Sequence, residues 1–267
     1  YGGGAMGLSA LMPHRVHEIL LVSSAYDAFI LSEDGQLSER LTTGFQALHL
    51  SAPPRVTQVE SAKLALQVMA SRRFDMVLLG LGLNDAKVSA FARQLKDRHP
   101  EIPVVLLTFG EADIEHTPGG IDLDVIDRVF LWTGDAQILV AIIKLIEDWK
   151  NVDHDTSNSG VQVILVVEDS VRRYSTFLSL LYTEILEHSR AMSAEGLNEL
   201  HKRLRMRARP KILLATNWEE AMGLAAAYSD HLMALITDVD FPRGGELVSA
   251  GFDLVGRLRA NDPRLPV

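Results

Sequence analysis

Short apolar runs recur along the chain, and between them lie stretches whose apolar positions fall three or four residues apart. The runs Ile19 to Val22, Val56 to Val59, Met76 to Leu79, Val104 to Leu107 and Val129 to Trp132 predict five strands. Helical periodicity covers Ala25 to Leu41, Ser61 to Ser71, Asp85 to Arg98 and Ala136 to Trp149, whereas Gly110 to Asp124 is too rich in Gly, Pro and charge to predict a helix. Such alternation implies right-handed βαβ crossovers and a parallel sheet.

The stretch from Asn151 to Gly160 is polar and shows no apolar period, so it predicts a linker between two domains. Beyond it the strand pattern restarts at Val163 to Val167, Ile212 to Ala215 and Ala234 to Thr237, and Leu265-Pro266-Val267 resembles the opening of a fourth strand. The predicted organisation is a flexible leader over 1–14, a first domain over 15–150, a linker over 151–160 and a second domain over 161–267. That second domain would be cut at the start of strand four, as in a fragment of a longer protein, leaving its third strand at a sheet edge. Residues 170–209 are about twice as long as a crossover helix requires. Leu178, Leu181, Ile185, Leu197, Leu200 and Leu204 fit one long amphipathic helix or a hairpin broken near 193–196. The region reads either as an elaborated first helix packed on its own domain or as a docking or homodimerisation helix.

Composition narrows the functional classes. A hydrophobic content of 47% in 267 residues supports a substantial core. The absence of cysteine removes disulfides and thiolate chemistry and fits a cytoplasmic setting. No apolar run approaches the ~18 residues of a membrane span. A formal charge of −9 disfavours a nucleic-acid surface. Against this acidic background the tract His201 to Arg209, with Lys202, Arg203, Arg205, Arg207 and Arg209, is the strongest basic feature. It reads as a solvated helix end, an anion-binding patch or a surface for an acidic partner. His188 on the helical stretch reads as ordinary surface.

Ligands of a doubly wound sheet bind beyond the carboxyl ends of its strands. In the second domain those ends are acidic: Val167-Glu168-Asp169-Ser170 follows the first strand and Thr237-Asp238-Val239-Asp240-Phe241-Pro242 the third. Clustered carboxylates raise one another's pKa unless a cation neutralises them, and an all-oxygen set with room for water suits Mg²⁺ better than zinc. An ionised aspartate on such a metal can attack a phosphoryl donor in line. The same residues read as ordinary loop acids that cap helices.

These motifs, together with Gly251-Phe252-Asp253-Leu254-Val255, resemble bacterial two-component response-regulator receiver domains. The resemblance implies two flavodoxin-like doubly wound parallel-sheet domains of strand order 2-1-3-4-5, the second incomplete at its C-terminus. It further implies that Asp238 is the phosphoacceptor, and that Glu168, Asp169, Asp238 and the Asp240 backbone carbonyl hold Mg²⁺. A sensor histidine kinase or phosphotransfer protein would be the partner. Residues 243–250 exceed the usual connection to helix three, and the family's Ser/Thr after strand four and Lys after strand five have no counterpart up to Val267. The first domain resembles the family in pattern only. Ser23 and Ser24 stand for the acidic pair, Gly80 for the acceptor and Thr133 for the Lys, while Thr108 keeps the switch position. That domain is read as a pseudo-receiver used for contacts.

The long first helix with its basic end, Tyr182-Thr-Glu and Ala194-Glu-Gly-Leu-Asn also resemble receiver regions joined to phosphoenolpyruvate-synthase-like proteins. Three functions follow: a phosphorylation-responsive regulator rather than a metabolic enzyme, a phosphorylation-independent interaction module, or the regulatory front end of such a synthase. The chain carries no Gly-rich phosphate loop, His-Glu-x-x-His zinc motif or Gly-x-Ser-x-Gly elbow.

Overall fold

A computed structural model describes residues 11–27, 37–48, 50, 52–83, 86–115, 121–132, 134–135, 137–191 and 207–267. The chain divides into an N-terminal unit, Arg15–Ile143, and a C-terminal unit, Lys144–Val267, which also takes in the described residues up to His14.

In the N-terminal unit the strands are β1 (Glu18–Val22), β2 (Arg55–Val59), β3 (Met76–Gly80), β4 (Val104–Thr108) and β5 (Arg128–Leu131). The helices are α1 (Leu37–Ala47), α2 (Ala62–Ser71), α3 (Val88–Arg98) and the short α4 (Glu111–Glu115), and α5 (Gln137–Ser159) begins here. Every pairing is parallel and the order is β2-β1-β3-β4-β5, the flavodoxin-like doubly wound arrangement. All residues of β3 and β4 are buried, as expected of central strands covered by helices on both faces. Helix α2 starts where the Ser61 side chain accepts from the Leu64 amide, an N-cap that satisfies a first-turn amide with no partner inside the helix.

The C-terminal unit contains β6 (Val163–Val167), α6 (Val171–Ala191), β7 (Lys211–Ala215), α7 (Trp218–Ala227), β8 (Leu232–Thr237), β9 (Phe241–Arg243), β10 (Glu246–Val248) and α8 (Ala250–Asn261). Its parallel sheet has the order β7-β6-β8, matching the first three positions of the N-terminal sheet. The longer connection at 243–250 is an antiparallel hairpin of β9 and β10, turning at Gly244 and Gly245, both at positive φ. Leu265 to Val267 form no strand, but Leu235 donates its amide to the Pro266 carbonyl at 2.9 Å. In the N-terminal unit Val77 donates to Pro103 at 2.9 Å, immediately before β4 begins. Pro266 thus stands to Leu235 as Pro103 stands to Val77.

Two expectations change. Residues 151–159 are not a linker but the last turns of α5, with Asn151, Val152, Asp155 and Thr156 buried. The polar residues there are stabilised by distant partners. Asn151 Nδ2 donates to the His14 carbonyl at 2.6 Å and its Oδ1 accepts the His14 amide at 2.9 Å, while Asp155 accepts the Met12 amide at 3.0 Å. Of the proposed leader, residues 1–10 lie outside the described residues, but Leu11 and Met12 are buried core.

The basic tract changes as well. Arg209 is not a patch residue: its side chain is 1% exposed and both terminal nitrogens meet Asp148 at 2.8 Å. Asp148 also accepts from the Tyr182 hydroxyl at 2.9 Å and the Ile212 amide at 3.0 Å, and Lys211 pairs with Asp155 at 2.7 Å. Buried charges persist only when so compensated. Arg207 is half-buried, and Lys202, Arg203 and Arg205 lie outside the described residues, as does the proposed hairpin break at 193–196. Among the described residues no helix is long and apolar enough to cross a membrane.

Candidate functional site

The carboxyl ends of β6 and β8 meet at the edge where such a sheet binds ligands. Backbone hydrogen bonds set the register: Glu168 donates to Ala215 at 3.0 Å and Asp238 to Val167 at 2.9 Å. Glu168, Asp169 and Asp238 consequently converge, with one oxygen from each within 4.8 Å of the others, and their side chains are 15%, 26% and 21% exposed.

One cation already touches all three. Arg173, in the first turn of α6, donates from Nε to Glu168 Oε1 at 3.0 Å, and a terminal nitrogen lies 3.6 Å from Asp169 Oδ1 and 2.7 Å from Asp238 Oδ2. Neither of those aspartate oxygens accepts an aligned hydrogen bond although both are shielded from solvent. Burial pushes the Glu168 carboxyl above its usual range, opposed by the Ser170 amide at 3.0 Å and by Arg173. Shielded, unaligned carboxylate oxygens and an all-oxygen donor set fit a hard divalent cation such as Mg²⁺.

The turn after β8 is held from two sides. Asp238 Oδ1 accepts the Val239 amide at 2.7 Å, and Asp240 Oδ1 accepts the Ser249 hydroxyl at 2.6 Å, directing that side chain toward the base of the hairpin. Gly251 approaches so closely that a Cβ there would stand 2.3 Å from the Asp238 carbonyl oxygen. Arg243 of the hairpin stacks 4.3 Å over the Trp218 ring, and Phe241 is fully buried.

The N-terminal unit has the same register with other residues. Val22 pairs with Leu79 as Val167 pairs with Thr237, and Ser23 donates to Val59 as Glu168 does to Ala215. Ser23, Ser24 and Gly80 therefore occupy the positions of Glu168, Asp169 and Asp238. Sequence reasoning overlooked Asp27, which fills the space. Its Oδ2 lies 2.9 Å from where a Gly80 Cβ would be and accepts the Gly82 amide at 3.2 Å, and its own amide donates to Ser24 Oγ at 3.0 Å. Thr108 is buried and donates to the Gly110 carbonyl at 2.9 Å. Thr133 lies outside the described residues. Arg173 was also overlooked, although its place four residues after Asp169 puts it one helical turn away.

An acidic cluster thus lies at the strand ends of the C-terminal sheet, and the N-terminal sheet repeats its register without those acids. Part of the chain is similar to several solved structures. The signal receiver domain of an HD-domain-containing protein from Pseudomonas fluorescens Pf-5 is 21% identical, over 53% of this chain and 93% of that one, with a TM-score of 0.36. A CheY-like response regulator receiver domain from Methylobacillus flagellatus is 20% identical over 49% and 98%, with a TM-score of 0.37. The response regulator TrrA from Thermotoga maritima, solved with Mg²⁺ and BeF, is 15% identical over 49% and 98%, with a TM-score of 0.36. No family model and no curated protein matches the chain.

Proposed function

We propose that the chain is a response-regulator-type signalling protein whose C-terminal unit accepts a phosphoryl group on Asp238. The observation that carries this reading is the convergence of Glu168, Asp169 and Asp238, with two shielded oxygens that lack an aligned donor. Glu168, Asp169, Asp238 and the Asp240 backbone carbonyl would hold Mg²⁺, which when bound supplies charge screening for a transferring phosphoryl group. An Asp238 oxygen forms the new O–P bond while the bond from phosphorus to a phosphohistidine nitrogen of a kinase or phosphotransfer protein breaks, the imidazole leaving with its electron pair and taking a proton from water. The added charge would then bias a surface read by an effector. The N-terminal unit, with Ser23, Ser24 and Gly80 at the site positions, serves as a contact module.

A second reading, docking without phosphorylation, is favoured by one observation: Arg173 already supplies a cation to the acids. Incubation with Mg²⁺ and acetyl phosphate, read by intact mass beside Asp238→Asn, separates the two. One added phosphoryl group, absent in the variant, supports phosphoacceptance. An unmodified folded chain leaves the docking reading.

A further inference from the structure

We propose that Arg173 is a built-in competitor for the metal: its guanidinium stands among the carboxylates in the metal-free chain and must leave before Mg²⁺ can bind. This rests on reading the acidic cluster as a metal site. The residue would thereby set the Mg²⁺ concentration at which the site becomes competent.

The contacts define the competition. Arg173 reaches Glu168 Oε1 at 3.0 Å, Asp238 Oδ2 at 2.7 Å and Asp169 Oδ1 at 3.6 Å, so it meets every side chain of the acidic triad. Only the Glu168 contact is an aligned hydrogen bond; Asp169 Oδ1 and Asp238 Oδ2 accept none. The guanidinium therefore supplies charge but incomplete coordination. Asp169 Oδ1 and Asp238 Oδ2 would be more fully satisfied by a divalent cation, whose higher charge suits hard carboxylate oxygens.

Both cations cannot stay. A metal about 2.1 Å from Asp238 Oδ2 would lie within about 5 Å of an Arg173 nitrogen that is 2.7 Å from that same oxygen. Three positive charges at that separation, in a site shielded on the protein side, repel strongly. Arg173 has an exit, because its side chain is 56% exposed whereas the acids are 15–26% exposed. A flexible side chain on the first turn of α6 can turn into solvent without moving the helix, so displacement needs only rotamer changes.

Isothermal titration of the whole chain with Mg²⁺, for wild type, Arg173→Ala and Arg172→Ala, tests the idea. The last variant removes an equal charge from the same helical turn. Arg173→Ala should bind at least about tenfold more tightly than wild type, a difference of about 1.4 kcal/mol, and Arg172→Ala should change affinity by less than about threefold, as expected of diffuse screened charge. In wild type the Arg173 Nε–H resonance should shift along the same Mg²⁺ isotherm as the carboxylates lose it. Equal or weaker binding by Arg173→Ala, or an equal gain from Arg172→Ala, overturns the competitor role while leaving the metal site standing. No Mg²⁺ binding by any of the three overturns the metal site itself and the competition with it.

Discussion

Replacing Gly251 by alanine tests whether the turn that carries Asp238, the proposed acceptor, is positioned by the approach of helix α8. A Cβ at this position would stand 2.3 Å from the Asp238 carbonyl oxygen, 2.9 Å from Val239 Cα and 3.1 Å from the Val239 carbonyl oxygen. All three are backbone atoms, so no side chain can rotate aside. Ordinary contact begins near 3.4 Å, and relief requires the turn and the helix to separate by about 1 Å. The Gly251 amide also donates to the Val239 carbonyl at 2.9 Å, a bond that separation would lengthen. Overpacking of this kind costs about 1–3 kcal/mol. A shift of about 1 Å in a reacting group costs about 100-fold in rate.

The control lies on the same helix. A Cβ at Gly256 meets nothing within 4 Å, so Gly256→Ala should gain the ordinary helix-interior preference, up to about 1 kcal/mol. Urea denaturation measures the stability change, and intact mass against time in acetyl phosphate measures modification of Asp238. Gly251→Ala should lose stability and modify about 100-fold more slowly, whereas Gly256→Ala should keep the wild-type rate. A folded Gly251→Ala chain modified within about twofold of wild type would refute the claim that this approach fixes Asp238.

Other perturbations probe the scaffold and the N-terminal copy of the site. Asp148→Ala strands the buried Arg209 and also unpairs the Tyr182 hydroxyl and the Ile212 amide, and should cost at least about 3–5 kcal/mol; denaturation of Asp148→Ala, Arg209→Ala and the double should yield a coupling of at least about 2 kcal/mol, because the double no longer buries an unpaired charge. Burial, then the neighbouring Asp148, raises the Tyr182 phenol well above its usual pKa near 10. The folded chain therefore keeps a proton that the unfolded chain releases, and this contribution is complete below pH 10 and lost as pH rises above it. Tyr182→Phe should flatten the decline of stability above pH 10, and should cost about 1.5–3 kcal/mol at neutral pH through the lost bond to Asp148. Gly80→Ala places a Cβ 2.9 Å from Asp27 Oδ2 and 3.3 Å from Ser23 Cβ, for a loss of about 1–3 kcal/mol, of which adding Asp27→Ala should recover at least half.

Most strands were legible because continuous Val, Ile and Leu runs mark buried parallel strands, while the partly exposed β2 rests on Val56 and Val59 alone, and every predicted run contains or overlaps an observed strand except Leu265–Val267. The end of α5 was not legible because Asn151, Asp155 and Thr156 carry its buried face, and polar residues look like linker when their partners are distant in sequence. Asp148, Asn151 and Asp155 do follow the three-and-four spacing of one helical face, but only Arg209, Lys211, Met12 and His14 reveal why that face is covered. Arg209 misled for the same reason, since the acid that neutralises it lies on α5. The three carboxylates were legible as strand-end acids, whereas Arg173 and Asp27 act through side-chain reach, which no periodicity records.

Each copy of the site holds a charged side chain of its own, and the difference in sign and burial separates their chemistry. Asp27 is 7% exposed, fixed by the Gly82 amide, and adds negative charge where Gly80 has removed it. With Ser23 and Ser24 beside it, one carboxylate offers too few anionic ligands to hold a hard divalent cation in place of its water shell. Arg173 instead neutralises three carboxylates from an exposed position, from which the proposed competition would displace it. An acid placed at residue 80 would therefore crowd Asp27, and Ser23 and Ser24 would still stand where the C-terminal unit has Glu168 and Asp169. If the proposed metal site is correct, the C-terminal copy needs only a side-chain rotation to admit Mg²⁺, and the N-terminal copy would stay silent in the same titration.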